Sequence, residues 1–302
     1  AVSTMTCVPY PVFVHQEPVD AENGRSALAA VGKCRIYPES CLKSAQLFRA
    51  IVDKNVQQAL ETNDKQLRKK YMKQGVAMAK SLLTETLKLD VSIVDVEVML
   101  NAEDVIKSDG CLAACLLDAG CHAIVVDGVN VIAMDAAKIP RTRLVAHFSS
   151  STPTLEQVDA ASLLASTISV EYHGDNNKAS ADDLQALLML GEKSKDTSTV
   201  VQVRSEDCDA SNALELSSMI GELDGPVALV DPTPTQLGLC YAARIKTDRP
   251  DGLFTTVVCT RAGEALGLVY SSKESIVAAL ECGRGVYFSR SRKGPWRKGD
   301  TS

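Results

Sequence analysis

Aromatic side chains are scarce in this chain: five Phe, seven Tyr and one Trp make up 4% of its 302 residues. A core must therefore be built mainly from Ala, Val, Leu and Ile, as in helices laid on a sheet, and a hydrophobic content of 45% is enough to fill it. Basic charge is short as well. With 32 Lys and Arg against 38 Asp and Glu the formal net charge is −6, which argues against a broad nucleic-acid-binding face. No apolar run approaches the roughly 18 residues of a membrane span, and no charged-then-apolar leader opens the chain. A soluble protein with neither nucleic acid nor membrane as partner is expected. Gly283 and Gly285 do not extend to a dinucleotide fingerprint, since Phe288 stands where a third glycine is needed, and no P-loop or nucleophile elbow occurs. Nicotinamide and nucleotide-motor chemistries lose their usual support. Cysteine is not scarce, at ten residues, but it lacks a tight repeated framework in a chain too long to need stapling, so reduced thiols in a cytosolic or similar compartment are expected. Position 1 is Ala rather than Met, which also fits a processed start, including loss of an organelle transit peptide.

What is present begins with punctuated strands. Residues 1–42 hold four prolines and short apolar bursts such as Val12-Phe13-Val14, which predict a strand or two with loops. From 44 to 89 apolar residues recur at helical spacing, with Gly75 as the one glycine, and the polar run 61–65 divides the stretch into two helices. The basic cluster Arg68-Lys69-Lys70 reads as a solvated face. From residue 90 the pattern alternates. Strands are predicted at 91–98, 122–126, 143–148, 166–172, 199–203 and 227–230, with helices at 101–119, 154–164, 181–190 and 210–221. Strand then helix, repeated, implies a largely parallel sheet covered by helices. Pro232-Thr233-Pro234 ends it, and a strand pair at 239–245 and 253–259 follows. A hairpin turn at 261–264, a strand at 266–270, a helix at 273–282 closed by Gly283, and a strand at 286–292 complete the reading.

The last nineteen residues, RGVYFSRSRKGPWRKGDTS, invert the sign of the chain. Arg284, Arg290, Arg292, Lys293, Arg297 and Lys298 stand there against the single acid Asp300. Such a run marks an anion site, and Arg290 and Arg292, two apart on a strand, would project planar guanidinium forks suited to phosphate from one face. Taken alone, such a strand is also an ordinary charged surface edge. Trp296, Lys298, Thr301 and Ser302 in register with it turn the balance toward a substrate site, because a nucleotide-derived phosphate needs forked donors and hydroxyls together.

The stretches Thr247-Asp248-Arg249-Pro250-Asp251-Gly252-Leu253, Gly267-Leu268-Val269-Tyr270, Tyr287-Phe288-Ser289-Arg290-Ser291-Arg292 and Trp296-Arg297-Lys298-Gly299-Asp300-Thr301-Ser302 resemble, in that order and spacing, the first half of the phosphoribosyl-AMP cyclohydrolase family. The version that opens the multifunctional histidine-biosynthesis enzyme of fungi is the nearest in pattern. The resemblance implies hydrolytic opening of the adenine ring of phosphoribosyl-AMP and a homodimer in the cytoplasm. It implies substrate contacts from Ser289, Arg290, Ser291, Arg292, Trp296, Lys298, Thr301 and Ser302. It also implies zinc and magnesium as cofactors, on an aspartate-cysteine-aspartate segment and two further cysteines that the family carries after the Thr-Ser pair, so no metal ligand is assigned in this chain. The expected organisation is an N-terminal extension at 1–89, an α/β leading domain at 90–243, and a partial α+β cyclohydrolase domain at 244–302. The leading domain is similar, through its element order, to a degenerate phosphosugar-binding barrel.

Other constellations read more plainly. Asp207-Cys208-Asp209 mimics the family's metal segment but lies upstream of the serine-arginine motif, and a helix N-terminus explains it better. Cys111 and Cys115 sit one turn apart on an apolar helix, where free thiols behave as small core residues, rather than joining Cys121 and His122 on a zinc ion. His15, His147 and His173 are isolated strand or loop residues. A rival reading makes the chain a non-catalytic binding or scaffold module whose cyclohydrolase half is a relic.

Overall fold

The computed structural model describes residues 12–15, 33–39, 42–87, 95–131, 138–149, 153–172, 198–204, 227–230, 234–260 and 263–299. Its larger part is a closed barrel of eight parallel strands: β1 (Val12–His15), β2 (Lys33–Ile36), β3 (Asp95–Met99), β4 (Ala123–Asp127), β5 (Leu144–Phe148), β6 (Thr167–Tyr172), β7 (Ser198–Arg204) and β8 (Val227–Val230). Each strand pairs with its sequence neighbour, and β8 returns to β1 with Leu229 opposite Phe13. Parallel pairing requires a crossover between strands. The described crossovers are helical and lie outside the barrel, as in the (β/α)8 architecture.

The crossover after β2 is the longest. Helix α1 (Leu42–Ala50) runs through a π-helical stretch (Ile51–Val56) into α2 (Gln57–Glu61), and α3 (Lys65–Leu87) returns. Gly75 lets α3 approach the next helical layer, since a Cβ there would stand 2.8 Å from Cys115 Sγ. Helices α4 (Ala102–Lys107) and α5 (Cys111–Asp118) follow β3, so the single helix predicted at 101–119 is broken by a turn in which Gly110 has φ 72°. After β5, α6 (Leu155–Leu164) opens on a reciprocal Thr154/Gln157 capping box.

Two layers of side chains follow from the period of two along each strand. Ile36, Val96, Val98, Ile124, Val126, Leu144, Ala146, Ile168 and Val170 join Leu82, Leu83, Leu112 and Leu116 in one buried cluster between barrel and helices. The alternate positions face the barrel interior. There Ala123, Val125 and Val145 form a small apolar patch, and beside it lies a buried polar group from four strands: Arg35, Glu97, His147, Ser169 and Glu171.

Two further expectations change here. The strands of the expected extension at 1–89, β1 and β2, close the same barrel as those of the expected leading domain. The strand predicted at 239–245 is instead part of helix α7 (Pro234–Arg244). Pro234 suits the first helical position, and the Leu- and Ala-rich residues after it are good helix formers. The helices predicted at 181–190 and 210–221 lie outside the described residues.

Beyond α7 the chain forms β9 (Phe254–Cys259) and β10 (Ala265–Ser271) as an antiparallel pair, then α8 (Lys273–Cys282), then β11 (Val286–Ser289) and β12 (Gly294–Arg297) as a second pair. Helix α7 packs on α8: a Cβ at Gly238 would stand 3.0 Å from the backbone Cα of Val277. Thr235 Oγ1 donates to Glu281 Oε1 at 3.1 Å across the same contact.

Candidate functional site

The C-terminal elements are positioned by local hydrogen bonds between small polar residues. In the loop before β9 the Gly252 N–H donates to the Arg249 carbonyl at 3.0 Å, closing a turn. Thr247 Oγ1 donates to the Leu253 carbonyl at 2.9 Å and accepts the Arg249 N–H at 3.3 Å. Asp251 accepts the Leu253 N–H at 3.2 Å, and its two oxygens take Arg249 Nε and Nη2 at 2.9 and 2.6 Å. That bidentate bond raises the Arg249 pKa and holds the Asp251 carboxyl below the usual carboxylate range. Strand β10 pairs Tyr270 with Thr255 and Ser271 with Phe254. Ser272 and Ser275 then cap α8 reciprocally, and Gly283, at φ 63°, ends it in the left-handed conformation that glycine adopts without a Cβ penalty.

After α8 the predicted strand at 286–292 stops early. Strand β11 ends at Ser289, residues 290–293 turn, and β12 returns with Gly294 opposite Ser289. The turn is held by Ser289, whose Oγ accepts the Arg292 N–H at 3.3 Å and lies 3.2 Å from Ser291 Oγ, with Lys293 at φ 50° completing the reversal. The Ser-Arg-Ser-Arg alternation imitates a strand in sequence, but the Ser289 hydroxyl's bond to the backbone N–H three residues on competes with the ladder and bends the chain. Arg290 and Arg292 thus occupy one hairpin turn instead of sharing one strand face.

Both arginines are exposed, as are Ser291, Lys293, Arg297 and Lys298, while Ser289 and Trp296 are half-buried. Among the described residues neither Arg290 nor Arg292 has an acidic partner within ion-pair distance. The Arg290 guanidinium lies 4.0 Å from the centre of the Tyr270 ring, and Arg249 lies 4.8 Å from the same centre. Trp296 faces Tyr287 across the hairpin, their ring centres 6.1 Å apart and tilted by 46°. Lys298 is fixed by its N–H, which donates to the Gly285 carbonyl at 2.9 Å. The β11–β12 hairpin and the residue bonded beside it therefore hold Ser289, Arg290, Ser291, Arg292, Trp296 and Lys298 in one local unit; Thr301 and Ser302 lie outside the described residues. Tyr270, Arg249 and Asp251 were not singled out as site residues from sequence, although they stand inside the motifs quoted above.

The donor set does not fit a metal. Among the described residues no group of three or more His, Cys, Asp or Glu is placed to hold an ion, and the hairpin's own charges are positive. Cys115 and Cys121 are buried, and burial pushes both thiols up to about 12, so they are protonated core residues. Cys121 Sγ lies 3.2 Å from the Val96 carbonyl and 3.0 Å from that of Ala123. The Asp207-Cys208-Asp209 stretch lies outside the described residues.

His147 sits inside the barrel. Its Nδ1 is 3.1 Å from Ser169 Oγ and its Nε2 is 3.9 Å from Glu171 Oε2. Arg35 reaches from β2 to Ser169 on β6 at 2.9 Å and binds Glu97 Oε2 through Nε and Nη2 at 3.0 and 2.9 Å. Burial, then the Arg35 charge, depress the His147 pKa to about 3. This network links β2, β3, β5 and β6 inside the barrel.

The family model described as phosphoribosyl-AMP cyclohydrolase matches residues 267–302, from β10 through the arginine-bearing hairpin. The C-terminal segment carries this family's signature. The "Histidine biosynthesis trifunctional protein" of Saccharomyces bayanus is 63% identical over 60 residues, which cover 20% of this chain and 8% of that protein. The "Histidine biosynthesis bifunctional protein his7" of Schizosaccharomyces pombe is 32% identical over 195 residues, 62% of this chain and 46% of that one, so this likeness extends beyond the segment that the family model matches. The "Phosphoribosyl-AMP cyclohydrolase" of Rhodospirillum centenum is 58% identical over 40 residues, 13% of this chain and 30% of that protein. The matches thus cover less than half the length of each of these relatives. Among solved structures, the tryptophan synthase alpha subunit of Legionella pneumophila aligns with a TM-score of 0.43 at 10% identity, covering 76% of this chain and 82% of that one. The barrel assignment rests on the strand pairing itself.

Proposed function

We propose that residues 244–302 form the substrate-phosphate half of a phosphoribosyl-AMP cyclohydrolase, a hydrolase that opens the adenine ring of phosphoribosyl-AMP in histidine biosynthesis, joined to the barrel through α7. The observation that carries the reading is the hairpin turn. It holds two exposed guanidinium groups without acidic partners among the described residues, two hydroxyls 3.2 Å apart, and the half-buried Trp296 on the returning strand, within the segment that matches the family.

Each group has a role set by its chemistry. Arg290 and Arg292 bind the phosphate or ribose-phosphate through forked, charge-assisted hydrogen bonds. Ser289 and Ser291, with Thr301 and Ser302, donate hydroxyls, Lys298 adds positive charge, and Trp296 bounds the base. Because the described residues do not fit a metal, no catalytic step is assigned to them; the zinc and magnesium that go with this reading belong to ligands outside them. A cytoplasmic homodimer is part of the same proposal and rests on the family resemblance alone.

Trp296 is the single tryptophan of the chain, so its fluorescence reports on the hairpin without added probes. Titration with phosphoribosyl-AMP should change that emission saturably. Replacing Arg290 with Ala should weaken the apparent affinity by roughly tenfold or more, the scale of one lost hydrogen-bonded charge contact. A flat titration, or an Arg290→Ala curve that overlays the parent, would favour the non-catalytic reading.

A further inference from the structure

The two guanidinium groups that meet Tyr270 are not equivalent. Arg249 is committed: both oxygens of Asp251 take its Nε and Nη2, and the pair neutralises its charge. Arg290 lies closer to the ring centre, at 4.0 Å against 4.8 Å, and among the described residues it has no carboxylate partner. A guanidinium resting on an aromatic ring keeps its hydrogen-bonding edge free, because the ring attracts the cation through the quadrupole of its π system and takes none of the N–H donors. Tyr270 itself is fixed at the end of β10 by its pairing with Thr255 and by the next residue, buried Ser271, whose Oγ lies 2.8 Å from Thr256 Oγ1. An exposed arginine in a hairpin turn would otherwise lose rotamer freedom on binding an anion, and the ring removes part of that loss beforehand.

We infer that Tyr270 is a positioning residue for the phosphate site: its ring holds Arg290 with the donor edge presented to an anionic ligand, while Asp251 keeps the neighbouring Arg249 from competing for that ligand. The inference rests on the substrate reading of the hairpin given above, and the variants separate the two.

The test is the Trp296 fluorescence titration with phosphoribosyl-AMP on the whole chain, with circular dichroism to confirm folding of each variant. Tyr270→Phe keeps the ring and should bind within about twofold of the parent. Tyr270→Leu removes the π face and should weaken binding by about threefold, the scale of an exposed cation–π contact. Combining Tyr270→Leu with Arg290→Ala should cost no more than Arg290→Ala alone, since the ring acts only through that arginine. Tyr270→Met, which keeps bulk without a ring, replaces the leucine variant if that one does not fold, with the same loss expected. Equal affinity of parent and Tyr270→Leu, a Tyr270→Phe as weak as Tyr270→Leu, or losses that multiply in the double variant would each overturn the positioning role. If Arg290→Ala alone leaves binding unchanged, the substrate reading itself falls, and the role of Tyr270 falls with it.

Discussion

His147 shows how far the barrel interior departs from the surface chemistry its strands suggest. Free imidazole titrates near 6.5, whereas burial and the Arg35 charge hold the folded value near 3. The folded state therefore keeps His147 neutral between those two values while the unfolded chain takes up a proton. Stability should be unaffected by this group above about pH 6.5 and should fall as pH drops from there toward 3, by on the order of 4 kcal/mol over the whole window. Urea unfolding at pH 7 and pH 4.5 measures that slope. His147→Gln should be less stable than the parent at pH 7 yet lose less on acidification, and an unchanged pH slope would remove His147 from the acid response. The same residue explains a limit of the sequence. Polar residues alternating with Val, Ile and Ala, as in Val96-Glu97-Val98 or Ile168-Ser169-Val170-Glu171, ordinarily mark a solvent face. Here the alternate face is the inside of a closed barrel, and closure depends on β1 pairing with β8, a contact between distant parts of the chain that no local pattern encodes.

At the level of elements, the legible parts are those where local chemistry and tertiary packing agree. Strands β4, β5 and β8 are short, mostly apolar runs bounded by turn residues, and their positions follow from the local pattern. Helix α8 is bounded by Ser272 and Gly283, residues whose capping roles are written in the sequence. The misread segments are those where two local signals compete. Residues 239–245 are too short to distinguish an apolar strand from a helix by period, and Pro234 upstream decides for the helix. In the tail, serines alternating with arginines look extended until the Ser289 hydroxyl bonds the Arg292 N–H. The α7–α8 contact gives an element-scale test. A side chain at Gly238 would meet the Val277 backbone, which cannot step aside as a flexible side chain does. Gly238→Val should therefore destabilise the C-terminal segment by about 1–3 kcal/mol, the usual cost of overpacking. Limited proteolysis comparing the C-terminal hairpins with the barrel reads this directly, and equal protection of the hairpins in both proteins would mean that α7 does not anchor them.

For the whole molecule, a (β/α)8-type barrel that holds a hydrogen-bonded polar network among its described interior residues is joined through α7 to a small segment that carries the proposed substrate hairpin. The two parts divide charge unequally. The chain is acidic overall at −6, yet residues 284–302 hold six basic side chains and one acid. A field of opposite sign confined to one end favours a small anion over an extended polyanion. Val257, Leu266 and Leu268 of the β9–β10 pair are also exposed. The central claim, that this hairpin is a cyclohydrolase substrate site, is tested most directly by function. Residues 267–302 can be grafted into the Rhodospirillum centenum phosphoribosyl-AMP cyclohydrolase in place of its matching segment, and phosphoribosyl-AMP turnover followed by ultraviolet absorbance. The graft should turn over substrate within about tenfold of its parent, and Arg290→Ala within it should lower kcat/KM by roughly tenfold or more. A graft that folds like its parent but turns nothing over, or one indifferent to Arg290→Ala, would contradict the claim.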